Sequence, residues 1–109
     1  MITIYGIKNC DSCQKAAKYF GRCAEFHDIR KFQLSKEKLE VFIHNFGDKL
    51  INIRSKTWKT LTSNEKNLNT LELLNLFPTV MKRPIIECSE SQIKTIGWSE
   101  SVRKQYVLI

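Results

Sequence analysis

The chain has 109 residues, of which 42% are hydrophobic and 27% are charged, and this balance argues against a wholly disordered chain. The length fits one domain, and no apolar run reaches the roughly 18 residues that a membrane-spanning helix needs, so we expect no membrane association. The net charge is +7, but the basic residues are spread over the whole sequence, and we therefore expect no direct nucleic-acid binding.

The first part of the chain predicts a strand, a helix and a second strand. β-branched and aromatic residues at 2–5, followed by Gly6, are typical of a strand. Residues 11–20 predict a short helix that ends at Gly21, and residues 23–29 predict the second strand. This order implies two parallel strands joined by a right-handed crossover.

The middle of the chain is predicted to be mainly helical. Ser35 is a good N-cap for a helix whose apolar stripe consists of Leu39, Phe42, Ile43 and Phe46. Residues 48–61 are expected to contain short helical turns, because a structureless loop of that length is unusual in a compact domain. Residues 62–65 match a capping box, so a further helix starts there or restarts at Thr70.

The C-terminal part predicts a hairpin and a last helix. Residues 85–88 and 92–98 read as strands separated by a short turn, which makes them antiparallel. Ser99 is placed to cap a helix that runs through Val102 and Tyr106. Together with the first two strands, these elements predict an α/β fold with a four-stranded mixed sheet covered by helices.

Cys10 and Cys13 form a Cys-Asp-Ser-Cys motif where the first strand passes into the first helix. The free amides and the dipole at the start of a helix stabilise an anion, and such positions lower a thiol pKa from about 8.5 towards 3.5–7.5. Cys13 lies on the same helix face and could attack an adduct on Cys10. A Cys-x-x-Cys pair in this context predicts a thioredoxin-like redox site.

Other roles for the cysteines remain open at this point. A zinc site needs four ligands, but Cys23, Cys88, His27 and His44 show no second paired spacing, so we expect no metal. The two motif cysteines could also be buried structural thiols, and Cys23 and Cys88 are interpreted as small core residues of strands. The N-terminal residues lack the features of a signal peptide, which predicts a cytoplasmic chain with reduced thiols.

Arg54 and Arg83 are the cations of interest because both lie in irregular segments. An arginine presents a planar fork of donors that suits a carboxylate or an oxyanion. If both approach Cys10, they would lower its pKa and hold an anionic substrate; otherwise each is a solvated surface charge. Pro84 follows Arg83, and the sequence alone does not predict a cis bond there, since only about 5–6% of such bonds are cis.

Three segments give the chain a resemblance to a known family. Residues 4–11 (IYGIKNCD), 54–61 (RSKTWKTL) and 82–86 (KRPII) resemble the arsenate reductase (ArsC)/Spx/YffB family, in the right order and at the right spacings. The resemblance covers essentially the whole chain. It implies one thioredoxin-like domain over residues 1–109, with a helical insertion at roughly residues 35–80 and a cis bond before Pro84.

The opening segment, Trp58 and the length are most similar to the YffB-like branch of that family. This resemblance implies a thiol–disulfide oxidoreductase that uses glutathione as co-substrate and holds no bound cofactor. Cys10 would be the nucleophile and Cys13 the resolving thiol. The residues implied to bind the anionic substrate are Asn9, Arg54, Arg83 and Pro84. Because Cys13 is not general in that branch, an external thiol is the alternative resolving group.

Two other branches supply alternative functions. In the arsenate reductases a histidine precedes the cysteine and a third arginine lies on the last strand; the matching positions here are residues 6–9 and 94–98, which contain neither. The Spx branch resembles this chain at the Cys10/Cys13 pair and at residues 54–56. Spx proteins generally continue further at the C-terminus, and they imply a redox-sensing regulator that binds the RNA polymerase alpha subunit.

Overall fold

The computed structural model describes residues 1–106, and four strands in it form one mixed sheet. The strands are β1 (Ile2–Gly6), β2 (Ala24–Asp28), β3 (Ile85–Cys88) and β4 (Lys94–Ile96). Their order across the sheet is β2-β1-β3-β4, with β1 parallel to β2 and antiparallel to β3, and with β3 antiparallel to β4. The predicted mixed sheet, its parallel first pair and its antiparallel last pair are therefore confirmed.

Most helices begin at a residue whose side chain accepts a hydrogen bond from the first turn. The α-helices are α1 (Asp11–Phe20), α2 (Lys36–Phe46), α3 (Lys56–Thr60), α4 (Ser63–Lys66), α5 (Thr70–Leu76) and α6 (Glu100–Lys104). Side-chain caps at Ser35, Thr62 and Ser99 confirm the predicted helix starts, and Thr62 with Glu65 forms the full capping box. Within residues 1–106, no helix has the length and apolar character to cross a membrane.

The chain divides into two compact units. The first contains Met1–Asp28 and the described residues from Arg83 onward, and so holds the whole sheet with α1 and α6. The second is Ile29–Lys82, which contains α2 to α5 and a small core around Leu61, Leu73 and Val80. The predicted helical turns between residues 48 and 61 are confirmed by α3 and by a 3-10 helix at Gly47–Leu50.

The core of the first unit lies on one face of the sheet. It is formed by alternate strand residues together with α1 and the segment after α6, namely Ile2, Ile4, Ala16, Phe20, Ile86, Cys88 and Tyr106. The Tyr106 hydroxyl donates to the Ile86 carbonyl at 3.1 Å and lies 2.6 Å from the Thr95 hydroxyl. These bonds satisfy polar groups that would be costly to bury alone, and they fix Tyr106 against the sheet.

Several predicted boundaries were wrong for local backbone reasons. The second strand starts at Ala24 and not at Cys23, because Gly21–Cys23 forms a 3-10 helix. Cys23 is consequently exposed, which contradicts its interpretation as a core residue. The fourth strand is shorter than the predicted 92–98, since Gln92 (φ 60°) and Gly97 (φ 80°) adopt left-handed conformations that an extended strand excludes.

The last helix is also shorter than predicted. It ends at Lys104, so Tyr106 follows it and is buried by the contacts described above.

Candidate thiol site

Cys10 is the N-cap residue of α1, with an extended backbone (φ −98°, ψ 125°). The turn before it is closed by a hydrogen bond from the Cys10 N–H to the Ile7 carbonyl at 3.3 Å. The side-chain amide of Gln14 donates to the Lys8 carbonyl at 2.8 Å and ties the same turn to the first helical turn. The loop that carries Cys10 is therefore held from both sides.

The pKa of Cys10 is lower than that of an ordinary thiol. Partial burial raises the pKa, but three neighbours outweigh it: the backbone N–H of Cys13, the Cys13 thiol, and the Arg83 guanidinium, which both hydrogen-bonds and attracts the negative charge. The Cys10 side chain makes no capping hydrogen bond to the first turn of α1. The thiol is half-exposed and free, as a nucleophile must be.

Cys13 has the opposite character. Its side chain is 0% exposed, and burial is the main cause that raises its pKa to about 12. The nearby Cys10 sulfur raises that pKa further, while the backbone N–H of Ile7 and the charge of Arg83 lower it. The two cysteines thus differ strongly: Cys10 is the activated thiol, and Cys13 is a protonated thiol hidden from solvent.

The sheet register explains why Arg83 lies beside Cys10. Because β3 runs antiparallel to β1 with Ile85 opposite Tyr5, the residues just before β3 lie next to those just after β1. The Arg83–Pro84 peptide bond is cis, which confirms the expectation from the resemblance, and Pro84 is fully buried. Arg83 is half-buried and reaches the Cys10 sulfur from this position.

The other candidate anion-binding residues are both exposed. Asn9 lies in the turn directly before Cys10. Arg54 lies in the second unit, in a turn where its backbone N–H donates to the Asn52 side-chain oxygen at 3.0 Å. The contribution of Arg54 to a site around Cys10 stays a prediction.

The remaining thiols and histidines lie elsewhere. Cys88 is buried in β3, as predicted, and its thiol lies 3.3 Å from the Glu90 carboxylate. His27 packs on β2 against the Tyr5 ring, with 5.2 Å between ring centroids, and His44 is exposed on α2. Across residues 1–106, no group of three or more His, Cys, Asp or Glu residues is arranged to hold a metal ion.

Sequence reasoning did not identify Gln14 or the Ile7 amide as parts of this site. Gln14 could have been found, because its position four residues after Cys10 puts it on the helix face above the preceding turn. The Ile7 N–H could not have been found from the sequence, since every residue except proline has a backbone N–H.

Replacing Arg83 with alanine is expected to raise the pKa of Cys10 and to slow its alkylation several-fold at a pH below both pKa values, because the lost thiolate outweighs the gain in its nucleophilicity. The measurement is the alkylation rate against pH, made in a Cys23→Ser background because Cys23 is exposed and would also react. Arg83→Lys is the control, since it keeps the charge but loses the planar fork. An unchanged pH profile in Arg83→Ala would remove Arg83 from the site.

Comparisons with known proteins bear on this site. A model of the ArsC family matches residues 5–105. The chain is 42% identical to an uncharacterized protein of Haemophilus influenzae, covering 79% of this chain and 82% of that protein. It is 33% identical to the global transcriptional regulator Spx of Streptococcus agalactiae, covering 92% and 78%.

A solved structure agrees with the same fold. The YFFB (PA3664) protein superposes with a TM-score of 0.84 at 24% identity, covering 96% of this chain and 97% of that one. At this level of identity the likeness establishes the shared fold and nothing about activity.

Proposed function

Because the chain belongs to the ArsC family and has its thioredoxin-like fold, we propose that it is a thiol–disulfide oxidoreductase that uses glutathione as electron donor. One observation carries the proposal: a half-exposed Cys10 with a lowered pKa lies beside a buried Cys13 with a raised pKa. A purely structural thiol pair would not need this asymmetry. Such chemistry fits a reducing compartment, and we propose the cytoplasm.

The first step is attack by the Cys10 thiolate on a substrate disulfide. The Cys10 sulfur bonds to one substrate sulfur, the substrate S–S bond breaks, and the other half leaves as a thiolate. Arg83 and the Cys13 N–H stabilise the Cys10 thiolate before attack, so a larger fraction of the thiol is in its reactive form at a given pH. The rate of this step is expected to level off once the pH exceeds the pKa of Cys10.

The second step is attack by Cys13 on the Cys10 sulfur. Cys13 loses its proton, bonds to Cys10 and expels the second substrate thiolate, which takes up a proton, leaving a Cys10–Cys13 disulfide. Once Cys10 is bonded, its negative charge no longer raises the pKa of Cys13, whereas Arg83 and the Ile7 N–H still lower it. Two glutathione molecules then reduce the disulfide and leave as oxidised glutathione.

Arg83 is the cation best placed for an anionic substrate, because it already contacts the reacting sulfur. Glutathione carries carboxylates, which the arginine fork can bind through two parallel hydrogen bonds. We propose that Arg83 and Asn9 bind such a group, that Arg54 contributes a second charge, and that the buried Pro84 shapes the wall beside Cys10.

The direct test is turnover with glutathione and a small mixed disulfide, followed as oxidised glutathione formed. We expect each chain to reduce many substrate equivalents, and a parallel reaction with arsenate decides whether that oxyanion is a substrate. If each chain reduces no more than one equivalent of substrate, whichever disulfide or oxyanion is supplied, the enzyme proposal is overturned.

A redox switch is the second candidate, favoured by the 33% identity to the regulator Spx. In that case the Cys10–Cys13 disulfide is itself the signal, and no substrate turns over. The partner proposed for this alternative is the RNA polymerase alpha subunit. Capture of that subunit in only one redox state, without turnover, would favour the switch, and no capture in either state would count against it.

A further inference from the structure

The last residue of β1, Gly6, is a glycine for a reason other than backbone conformation. The glycines with positive φ are Gly21, Gly47 and Gly97, and Gly6 is not one of them. A glycine inside a strand weakens it and commonly marks a close approach by another group. Some neighbour must therefore need the space that a side chain would fill.

That neighbour is Cys13. A Cβ atom at Gly6 would overlap the Cys13 Sγ atom and would lie 3.2 Å from the Cys13 Cβ, closer than ordinary van der Waals contact. The ring of Phe26 lies 3.6 Å from the same point and closes the space from the β2 side. The Cys13 sulfur thus fills a pocket that exists because Gly6 has no side chain.

In this pocket the Cys13 sulfur has both contacts that its proposed reaction needs. The backbone N–H of Ile7, next to Gly6, hydrogen-bonds to the sulfur and would stabilise the thiolate that attacks. The same sulfur is in hydrogen-bond contact with the Cys10 side chain, its target. The side chain is 0% exposed, so a thiol from solvent cannot enter this pocket.

We propose that Gly6 is a positioning residue for the resolving step, because its missing side chain holds the Cys13 sulfur between the Ile7 N–H and the Cys10 sulfur. This inference rests on the proposed function, in which Cys13 attacks an adduct on Cys10. It assigns no chemistry to Gly6 itself.

The physical consequence of filling the pocket follows from rotamer geometry. Side chains occupy staggered wells, so the Cys13 sulfur relieves a clash by a rotation of about 120° about its Cα–Cβ bond. That rotation takes the sulfur away from both the Ile7 N–H and Cys10, which it contacts together in the present rotamer. The first step would be affected much less, because Cys10 loses its contact with the Cys13 thiol but keeps Arg83 and the Cys13 backbone N–H.

The experiment separates the two steps with dithiobis(nitrobenzoate), an aromatic disulfide that releases a coloured thiolate. Attack by Cys10 releases the first coloured equivalent, and attack by Cys13 on the resulting adduct releases the second. All variants carry Cys23→Ser, because exposed Cys23 would release colour of its own. Stopped-flow absorbance then gives one rate for each step in the same trace.

Gly6→Ala is expected to slow the second release about tenfold or more, since a displacement of about 1 Å is enough for such losses, while the first release slows by a much smaller factor. Ile4→Val is the matched control. It perturbs the same strand on the same buried face and costs stability, but it leaves the space beside Cys13 unchanged. We expect Ile4→Val to alter neither rate.

An unchanged second release in Gly6→Ala would overturn the inference while leaving the proposed function intact. Absence of the first release in the parent protein would instead overturn the proposed function. If Gly6→Ala does not fold, Cys13→Ala in the same chain should restore folding, because it removes the overlapping sulfur. The inference would also be overturned if Gly6→Ala lowered the free energy of unfolding equally whether position 13 holds cysteine or alanine.

Discussion

Replacing Cys10 with serine is expected to lower glutathione-dependent disulfide reduction on the order of a thousandfold or more, the loss typical of removing a nucleophile. The serine hydroxyl stays protonated at neutral pH, so the donors that stabilise the Cys10 thiolate have no anion to act on. The measurement is steady-state turnover of a small mixed disulfide with glutathione, compared at equal protein concentration.

Cys23→Ser is the matched control for this substitution. It removes an exposed thiol outside α1 and the sheet, and it should keep full turnover. The Cys10→Ser protein should retain its helical circular dichroism, because the thiol makes no capping hydrogen bond that the helix would lose. Turnover in Cys10→Ser equal to that of Cys23→Ser would contradict the assignment of Cys10 as nucleophile.

The position of Cys10 was predictable from local sequence because it depends on neighbouring residues. A β-branched run ending at Gly6 and a helix starting at Asp11 leave Cys10 at the helix N-terminus, and the structure confirms that placement. The sheet followed from the same kind of pattern. The directions within its first and last strand pairs are set by the length of each connection, which the sequence shows directly, whereas the pairing of β1 with β3 was not predicted.

The partners of Cys10 were not predictable in this way. Arg83 reaches Cys10 through the antiparallel register between β1 and β3, which joins residues more than seventy positions apart. The contact between Arg83 and Cys10 was anticipated only by the resemblance to a family. A side chain at Gly6 would overlap Cys13. This overlap depends on three-dimensional packing, which residue spacing and periodicity do not reveal.

Errors in the prediction arose where single residues adopt special conformations. Residues 23–29 read as one extended run, but the 3-10 helix after Gly21 removes Cys23 from the strand and exposes it. β4 is shortened at both ends by the left-handed conformations of Gln92 and Gly97. A glutamine gives no warning of such a conformation, since glycine and asparagine are the residues that usually adopt it.

Replacing Cys13 with serine is expected to leave Cys10 joined to half of its substrate as a lasting mixed disulfide. Serine keeps the size of the side chain and a hydroxyl that can donate to the Cys10 thiolate, so the first step should proceed at nearly the parent rate. The second step then has no internal thiol, because serine has replaced it. A thiol from solvent cannot enter the buried position in its place. Mass spectrometry after one equivalent of oxidised glutathione should find one glutathione per chain.

The persistence of that adduct decides which thiol resolves it in the normal cycle. In the Cys13→Ser protein, added glutathione should clear the adduct more slowly than Cys13 clears it in the parent. Moreover, the parent rate of clearance should rise with pH above the range where the first step has levelled off, because the pKa of Cys13 lies far above that of Cys10. Serine at position 13 should abolish that rise. An adduct that clears equally fast in both proteins, with one pH profile, would mean that external glutathione and not Cys13 completes the reaction.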